Sequence, residues 1–139
     1  MILVDTCVIS ELARRRPSPS VVAWFENVDE QSLYISALTL GEIAKGAASH
    51  PDPARRLRLD AWLEQVRLAW APRTLTLTSE IALEWGRLVG RLARSGTVMP
   101  VLDGLIAATA RRHGLHIATR NVSDFEAAEV LLFNPWQYT

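Results

Sequence analysis

The stretch MILVDTCVISEL, residues 1–12, places a carboxylate directly between an apolar segment and a helix-like one. Met1 to Val4 are apolar and end in a β-branched residue, which is typical of a short buried strand. Asp5 follows that strand at once, and the run from Val8 to Leu12 then resembles the start of a helix. The stretch therefore predicts a strand–helix unit with a charged group at the edge of the core.

The rest of the chain repeats this alternation of short apolar runs and helical segments. Ser18 and Ser36 are placed as helix caps, and Gly114 is placed to close a helix. We predict helices near 18–28, 36–47, 59–70, 81–96 and 101–113, and strands near 33–35, 74–77, 115–119 and 130–133. Such alternation favours a parallel sheet covered on both faces. The predicted fold is therefore α/β: a single doubly wound α/β/α sandwich with a central parallel sheet of about five strands, formed by residues 1–139 as one domain.

Composition and charge place the chain among ordinary globular proteins. Its 139 residues are 49% hydrophobic and 22% charged, a balance unlike that of disordered chains. Fifteen basic residues cancel fifteen acidic ones, so the net charge neither indicates nor excludes a nucleic-acid partner. Cys7 is the single cysteine, which excludes an internal disulfide and fits a reducing compartment. With no leader pattern and no apolar run near the ~20 residues of a membrane span, we predict a cytoplasmic protein without membrane contact.

Four carboxylates lie near predicted strand ends or in predicted helices, and three of them are at strand ends or helix starts. Asp5 ends the first strand, and Glu42 lies in the helix after the second. Asp103 is in the first turn of a later helix, and Asp124 follows the fourth predicted strand. Ligands of parallel sheets bind beyond the C-terminal ends of the strands. We therefore expect these carboxylates to meet at one edge of the sheet.

Each of these acids also has a purely structural explanation. Helix capping, a helix dipole or an ion pair with Lys45 would each contribute on the order of 1 kcal/mol or less. Together, however, the carboxylates repel one another unless a cation neutralises them. Carboxylate oxygens suit Mg²⁺ or Mn²⁺, whereas Cys7 and the histidines form no recognisable zinc site. The pattern indicates a Mg²⁺ or Mn²⁺ site, which is typical of phosphoryl transfer.

Five segments of the chain resemble the PIN-domain nucleases, in particular the VapC and FitB-like toxins of bacterial toxin–antitoxin pairs. They are MILVDTCVISEL, LTLGEIAKG, VLDGLIAATARRHGL, IATRNVSDFE and LLFNPW, and the similarity extends from residue 1 to Trp136. The family's acidic positions fall on Asp5, Glu42, Asp103 and Asp124.

The resemblance implies a Mg²⁺- or Mn²⁺-dependent endoribonuclease that inhibits translation and growth until a cognate antitoxin neutralises it. It also implies a homodimer, and contact with operator DNA only through the antitoxin. The chain departs from the family at Cys7, where Asn is common, and at Asn121, where many members carry another carboxylate. An amide both donates and accepts hydrogen bonds, whereas a thiol does either weakly.

We predict that Asp5 and Asp103 bind the metal directly, and that Glu42 and Asp124 act directly or through waters. Hydroxyl and amide groups expected to support them are Thr6, Thr119 and Asn121. Basic residues that could hold the RNA backbone are Arg14, Arg15, Arg16, Arg111 and Arg112. Ordinary helix capping explains the threonines equally well, and helix-dipole pairing explains the arginines.

Two other functions fit the same residues. A chain that keeps the fold but has lost efficient chemistry would be a catalytically weakened PIN-fold binding partner. A related Mg-dependent DNA nuclease or phosphoesterase would use the same acids, because the sequence does not reveal whether a 2′-hydroxyl is recognised. Metal binding, and cleavage of RNA against matched DNA, distinguish these functions.

Overall fold

The strands and helices of the chain alternate, as a computed structural model covering residues 1–139 shows. The elements, in chain order, are β1 (Ile2–Val4), α1 (Thr6–Leu12), α2 (Pro19–Asn27), β2 (Leu33–Ser36), α3 (Ala37–Ala48), α4 (Pro53–Trp70), β3 (Thr74–Leu75), α5 (Ser79–Arg94), α6 (Val101–His113), β4 (His116–Ala118), α7 (Val122–Phe125) and β5 (Leu132–Phe133). Short 3₁₀ turns precede β2, β3 and β5 and end the chain.

The five strands form one sheet in the order β3-β2-β1-β4-β5, and every neighbouring pair is parallel. The chain builds outward from β1 to β3 and then returns to place β4 on the other side of β1. This reversal of strand order opens a crevice beyond the C-terminal ends of β1 and β4. Val4 pairs with Ala118, so the residues that follow, Asp5 and Thr119, leave the sheet side by side.

Apolar side chains of the sheet alternate between two cores, one on each face. In β1, Val4 packs with α1, α2 and α3 on one face, whereas Leu3 packs with α5 and α6 on the other. In β4, Ala118 and Ile117 divide in the same way. This period of two residues is what a parallel sheet covered on both faces requires. The predicted α/β/α sandwich is therefore confirmed.

Local signals fix most of the helix ends. The Ser36 hydroxyl accepts from the backbone N–H of Leu38 at 3.0 Å, as predicted for a cap of α3. Gly114 has φ +66° and ends α6 in the left-handed conformation, which glycine adopts without a steric penalty. Ser18 precedes Pro19 at the start of α2, but its side chain makes no capping bond.

The strands are shorter than predicted, and α4 is longer. The expected strand 74–77 pairs only over Thr74–Leu75 at the sheet edge, and Leu77 is already exposed. The expected strands 115–119 and 130–133 likewise pair only over His116–Ala118 and Leu132–Phe133. Helix α4 begins at Pro53 instead of residue 59, because the Asp52 carboxylate accepts from the N–H of Ala54 and caps it. None of the helices combines the length and apolar character that a membrane crossing requires.

Candidate active site

Asp5 occupies the junction of β1 and α1, at the crevice created by the reversal of strand order. Its backbone N–H continues the sheet by donating to the Ala118 carbonyl at 2.9 Å. Its Oδ1 accepts from the N–H of Thr6 at 2.9 Å, and its Oδ2 accepts from the Thr119 hydroxyl at 2.8 Å. Both oxygens are thus oriented by neutral donors, and each keeps lone pairs that can accept a further contact.

Thr119 holds Asp5 in place from the end of β4. Its side chain is completely buried, and its hydroxyl accepts from the backbone N–H of Asn121 at 3.0 Å while it donates to Asp5. The single hydroxyl proton is therefore directed at the carboxylate. The structure thus places Thr119, one of the residues expected to support the acids, in hydrogen-bond contact with Asp5.

Cys7 lies within 3.6 Å of both Asp5 Oδ2 and the Thr119 hydroxyl. Burial raises the pKa of its thiol, and the negative charge of Asp5 raises it further. The thiol stays protonated at neutral pH as a result. It therefore acts as a weak neutral donor to Asp5, at a position where the resemblance would place an amide.

A second carboxylate, Glu42, is joined to the same junction through Thr6. The Thr6 hydroxyl donates to Glu42 Oε1 at 2.7 Å and also lies 3.1 Å from the hydroxyl of Thr39. Thr39 is completely buried on α3, and sequence reasoning did not single it out. Its position three residues before Glu42, and hence on the same helix face, is the signal that could have found it.

Asp103 faces the other three acids from the first turn of α6. Its pKa is raised, first by burial and then by the negative charges of Asp124, Asp5 and Glu42. Asp124 and Asn121 are exposed on the short segment after β4. None of the ion pairs of the structure includes any of these four carboxylates. The chain therefore brings the four predicted acids to one edge and supplies no basic side chain to neutralise them.

Close helix packing supports the position of Asp103. A Cβ added to the next residue, Gly104, would lie 2.9 Å from Cδ1 and Nε1 of Trp85 on α5. The Trp85 indole N–H is itself buried without a hydrogen-bond partner. The absence of a side chain at Gly104 is thus what allows α6 to approach α5 this closely.

The structure separates the predicted basic residues into two groups. Arg14 and Arg15 are exposed beyond the end of α1, where Arg14 and the site residues Thr6 and Glu42 line one cavity. Arg111, in contrast, is engaged by Glu84 at 2.7 Å and by the Ala128 carbonyl at 2.8 Å.

Arg111 and Arg112 lie at the C-terminal end of α6, whereas Asp103 lies in its first turn. A rise of about 1.5 Å per residue sets Arg111 roughly 12 Å from Asp103 along the helix axis. The structure therefore places Arg111 and Arg112, two of the candidate RNA contacts, at the end of α6 away from the acids. Arg16 is exposed, and no contact links it to the acids.

The oxygen ligands that converge here suit a divalent cation that keeps most of its waters better than one that the protein surrounds. No three histidine, cysteine, aspartate or glutamate side chains come together closely enough to enclose a metal ion. The groups that do converge are carboxylate and hydroxyl oxygens, which hard ions such as Mg²⁺ prefer. Mg²⁺ usually keeps several waters and needs only one or two carboxylates. Asp5 and Asp103 would suffice for this mode of binding.

Comparison with known proteins agrees with this architecture. The family model described as PIN domain matches residues 2–130. The VapC ribonuclease Y4jK of Sinorhizobium fredii (strain NBRC 101917 / NGR234) is 40% identical over 138 residues, which cover 99% of both chains. The toxin FitB of Neisseria gonorrhoeae (strain ATCC 700825 / FA 1090) is 38% identical over 98% of this chain and 99% of its own.

Solved structures show the same likeness. The crystal structure of FitAcB from Neisseria gonorrhoeae aligns with a TM-score of 0.91 and 37% identity, covering 99% of each chain. VapBC2 from Rickettsia felis, bound to a DNA fragment from its promoter, aligns with a TM-score of 0.77 at 20% identity over 96% of this chain and 98% of its own, a likeness of fold alone. The family match and the close relatives together show that the chain belongs to the PIN domain family.

Proposed function

We propose that this protein is an endoribonuclease toxin of a toxin–antitoxin pair, and that it depends on Mg²⁺ or Mn²⁺. The observation that carries the proposal is the group of four carboxylates without basic partners at the crevice of the sheet. Such a group suits a cation and a phosphodiester. The ribonuclease and endonuclease names of VapC relatives that align along nearly the whole chain support RNA as the substrate.

Asp5 and Asp103 would hold the cation, and Glu42 and Asp124 would act on it directly or through waters. A bound divalent cation would supply an activated water and neutralise charge on the scissile phosphate. The chain's own contribution is orientation. Thr119 fixes one oxygen of Asp5, and Thr6 fixes one oxygen of Glu42, so neither carboxylate needs to reorganise when substrate binds.

A cognate antitoxin and a second copy of the chain are the proposed protein partners. Relatives of known structure were solved as FitAcB from Neisseria gonorrhoeae and as FitAB bound to an IR36 DNA fragment. By analogy, contact with operator DNA would be made through the antitoxin. This chain would contribute the nuclease.

The decisive experiment compares cleavage of matched RNA and DNA strands by the purified protein. Metal-depleted protein should be inactive, and added Mg²⁺ or Mn²⁺ should restore cleavage of RNA but not of DNA. Asp5→Asn and Asp103→Asn should each lower RNA cleavage by about 100-fold or more, because losing even an outer contact of a metal site costs about 10–100-fold. Asp60→Asn, an exposed acid of α4, is the matched control and should retain activity.

The same variants also distinguish the alternative functions. Expressed in a bacterial host, the parent should inhibit growth and the two asparagine variants should not. Equal growth inhibition by parent and variants would contradict the assignment of the acids. Cleavage of DNA instead of RNA would favour the related phosphoesterase, and Mn²⁺ binding without any cleavage would favour the weakened binding partner.

A further inference from the structure

A groove leads away from the acids between the end of α1 and the beginning of α4. Its inner part is a cavity of about 480 Å³ that reaches Thr6 and Glu42. A second cavity, of about 560 Å³, shares three arginines with the first and extends it outward. The arginines that line the two cavities are Arg14, Arg15, Arg55 and Arg58.

These four residues, here called the arginine groove, carry a local excess of positive charge on a chain with no net charge. Only Arg14 has an acidic partner, through a single 3.3 Å contact with Glu11, and two-thirds of its side chain stays exposed. Arg55 and Arg58 are three residues apart and therefore share one face of α4. Arg56 turns away and donates to the carbonyl of His50 at 2.7 Å. Three of the four arginines in the groove, Arg15, Arg55 and Arg58, therefore have no acidic partner.

The inner wall of the groove is apolar and includes an aromatic ring. Trp62 and Leu59 line it from α4, and Ile43 lines it from α3. Trp62 is only partly buried against the neighbouring core. Basic groups beside an accessible aromatic ring are the combination that binds single strands, since phosphates contact the cations and unpaired bases stack on the ring. A duplex would present only its backbone to the same surface.

We propose that the arginine groove binds the phosphates of a single-stranded RNA segment and guides that strand to the acids. The proposal rests on the ribonuclease function above and adds the path of its substrate. A polyanion complements the four arginines, and the groove ends at Glu42, where the scissile phosphate would lie. Arg55 and Arg58 thereby become substrate-binding residues on a helix that carries none of the four acids.

The test measures RNA binding without cleavage. In the full chain carrying Asp103→Asn, Arg55→Gln and Arg58→Gln are introduced together, and binding of a short fluorescein-labelled single-stranded RNA is followed at several salt concentrations. Affinity at low salt should fall by about 10-fold or more. The slope of log K against log salt should fall by about 1.4, because each lost phosphate contact removes roughly 0.7 from a single-strand slope.

The matched control is the pair Arg91→Gln and Arg94→Gln. These arginines are also exposed and three residues apart on a helix, but they lie on α5 and line neither cavity. This pair removes the same charge and should leave affinity and salt slope unchanged. Arg55→Lys with Arg58→Lys keeps the charge and should recover most of the affinity. Thermal melts of all variants report folding separately.

Each remaining outcome decides against part or all of the proposal. If the parent cleaves RNA but the glutamine pair binds RNA with unchanged affinity and slope, the arginine groove is overturned and the proposed function stands. If the parent neither binds nor cleaves RNA, both the arginine groove and the proposed ribonuclease function are overturned. Equal affinity for a hairpin duplex would overturn the single-strand assignment. Unchanged RNA binding with loss of neutralisation by the cognate antitoxin would assign the groove to that protein instead.

Discussion

The charged side chains at the two ends of α6 differ in whether they have partners of opposite charge. At its N-terminal end, Asp103 faces other carboxylates, and no basic side chain pairs with any of them. At its C-terminal end, Arg111 pairs with Glu84 and with the Ala128 carbonyl, and Gly114 closes the helix. The C-terminal end shows how this fold neutralises a largely buried charge that has only a structural role. Charges left facing one another at the first end therefore indicate a binding role.

Among variants that keep all four acids, the largest expected effect comes from Thr119, an uncharged residue that hydrogen-bonds Asp5. Thr119→Val keeps the shape but removes the proton donated to Asp5 and the acceptor for the Asn121 N–H. RNA cleavage should fall about 10–100-fold, as for other groups that orient metal ligands. Thr119→Ser keeps the hydroxyl and should restore most of the rate. Equal rates for valine and threonine would show that Asp5 needs no such support.

Alanine substitutions at Gly104 and Gly114 test whether the two ends of α6 differ in function as well as in charge. Gly104→Ala places a Cβ 2.9 Å from the Trp85 ring, and overpacking of this kind costs about 1–3 kcal/mol. Because the strain falls beside Asp103, cleavage should also decrease. Gly114→Ala, at φ +66°, should cost about 1 kcal/mol and leave cleavage per folded molecule unchanged. Chemical denaturation and cleavage rates, measured on both variants, test the distinction.

The ion pair between Glu84 and Arg111, at the C-terminal end of α6, should contribute to stability and not to cleavage. Glu84→Gln removes the charge that faces Arg111, and both side chains are about three-quarters buried. The free energy of unfolding should fall by about 1 kcal/mol, near the upper end for accessible ion pairs. Cleavage should remain at the parent rate. A loss of activity as large as that of Thr119→Val would contradict the division between the two ends.

The smallest effect concerns the pH dependence of the metal-free protein. The pKa of Asp103 in the folded chain is raised above its ordinary value by burial and by Asp124, Asp5 and Glu42. The folded state therefore binds this proton more tightly than the unfolded state, and stability falls as pH rises from the ordinary pKa through the raised one. Asp103→Asn should melt slightly higher than the parent at neutral pH in chelator. That difference in melting temperature should vanish in acid, where Asp103 is protonated in both states. If the difference persists in acid, the assigned cause is wrong.

The sequence was sufficient to locate the acids because each follows a strand, lies in the helix after one, or, like Asp103, lies in the first turn of a helix. Parallel strands deliver such residues to a common edge, so local patterning implies proximity. Thr119 could be inferred in the same way from the end of β4. The strand lengths could not, because pairing depends on how far each neighbour extends, as the edge position of β3 shows.

Contacts between helices were beyond sequence reasoning. Arg55 and Arg58 line a cavity with Glu42 only because α4 packs beside α3. Arg111 and Arg14 were both candidate RNA contacts from the sequence. Arg111, however, lies at the far end of α6 from the acids, where it donates a hydrogen bond to Glu84. The contact of Gly104 with Trp85 likewise depends on the distance between two helix axes. Periodicity identifies which face of a helix is apolar but not which neighbour it meets.

The thiol of Cys7 determines how this protein can be labelled. Maleimides and iodoacetamide react with the thiolate, and the raised pKa of this partly buried group leaves little thiolate at neutral pH. A cysteine introduced at Val98, which is 91% exposed, would therefore react first in the native protein. Fluorophores could be attached there without removing Cys7. Alkylation of Cys7 itself would then report the opening of the fold, since unfolding exposes the thiol and restores its ordinary reactivity.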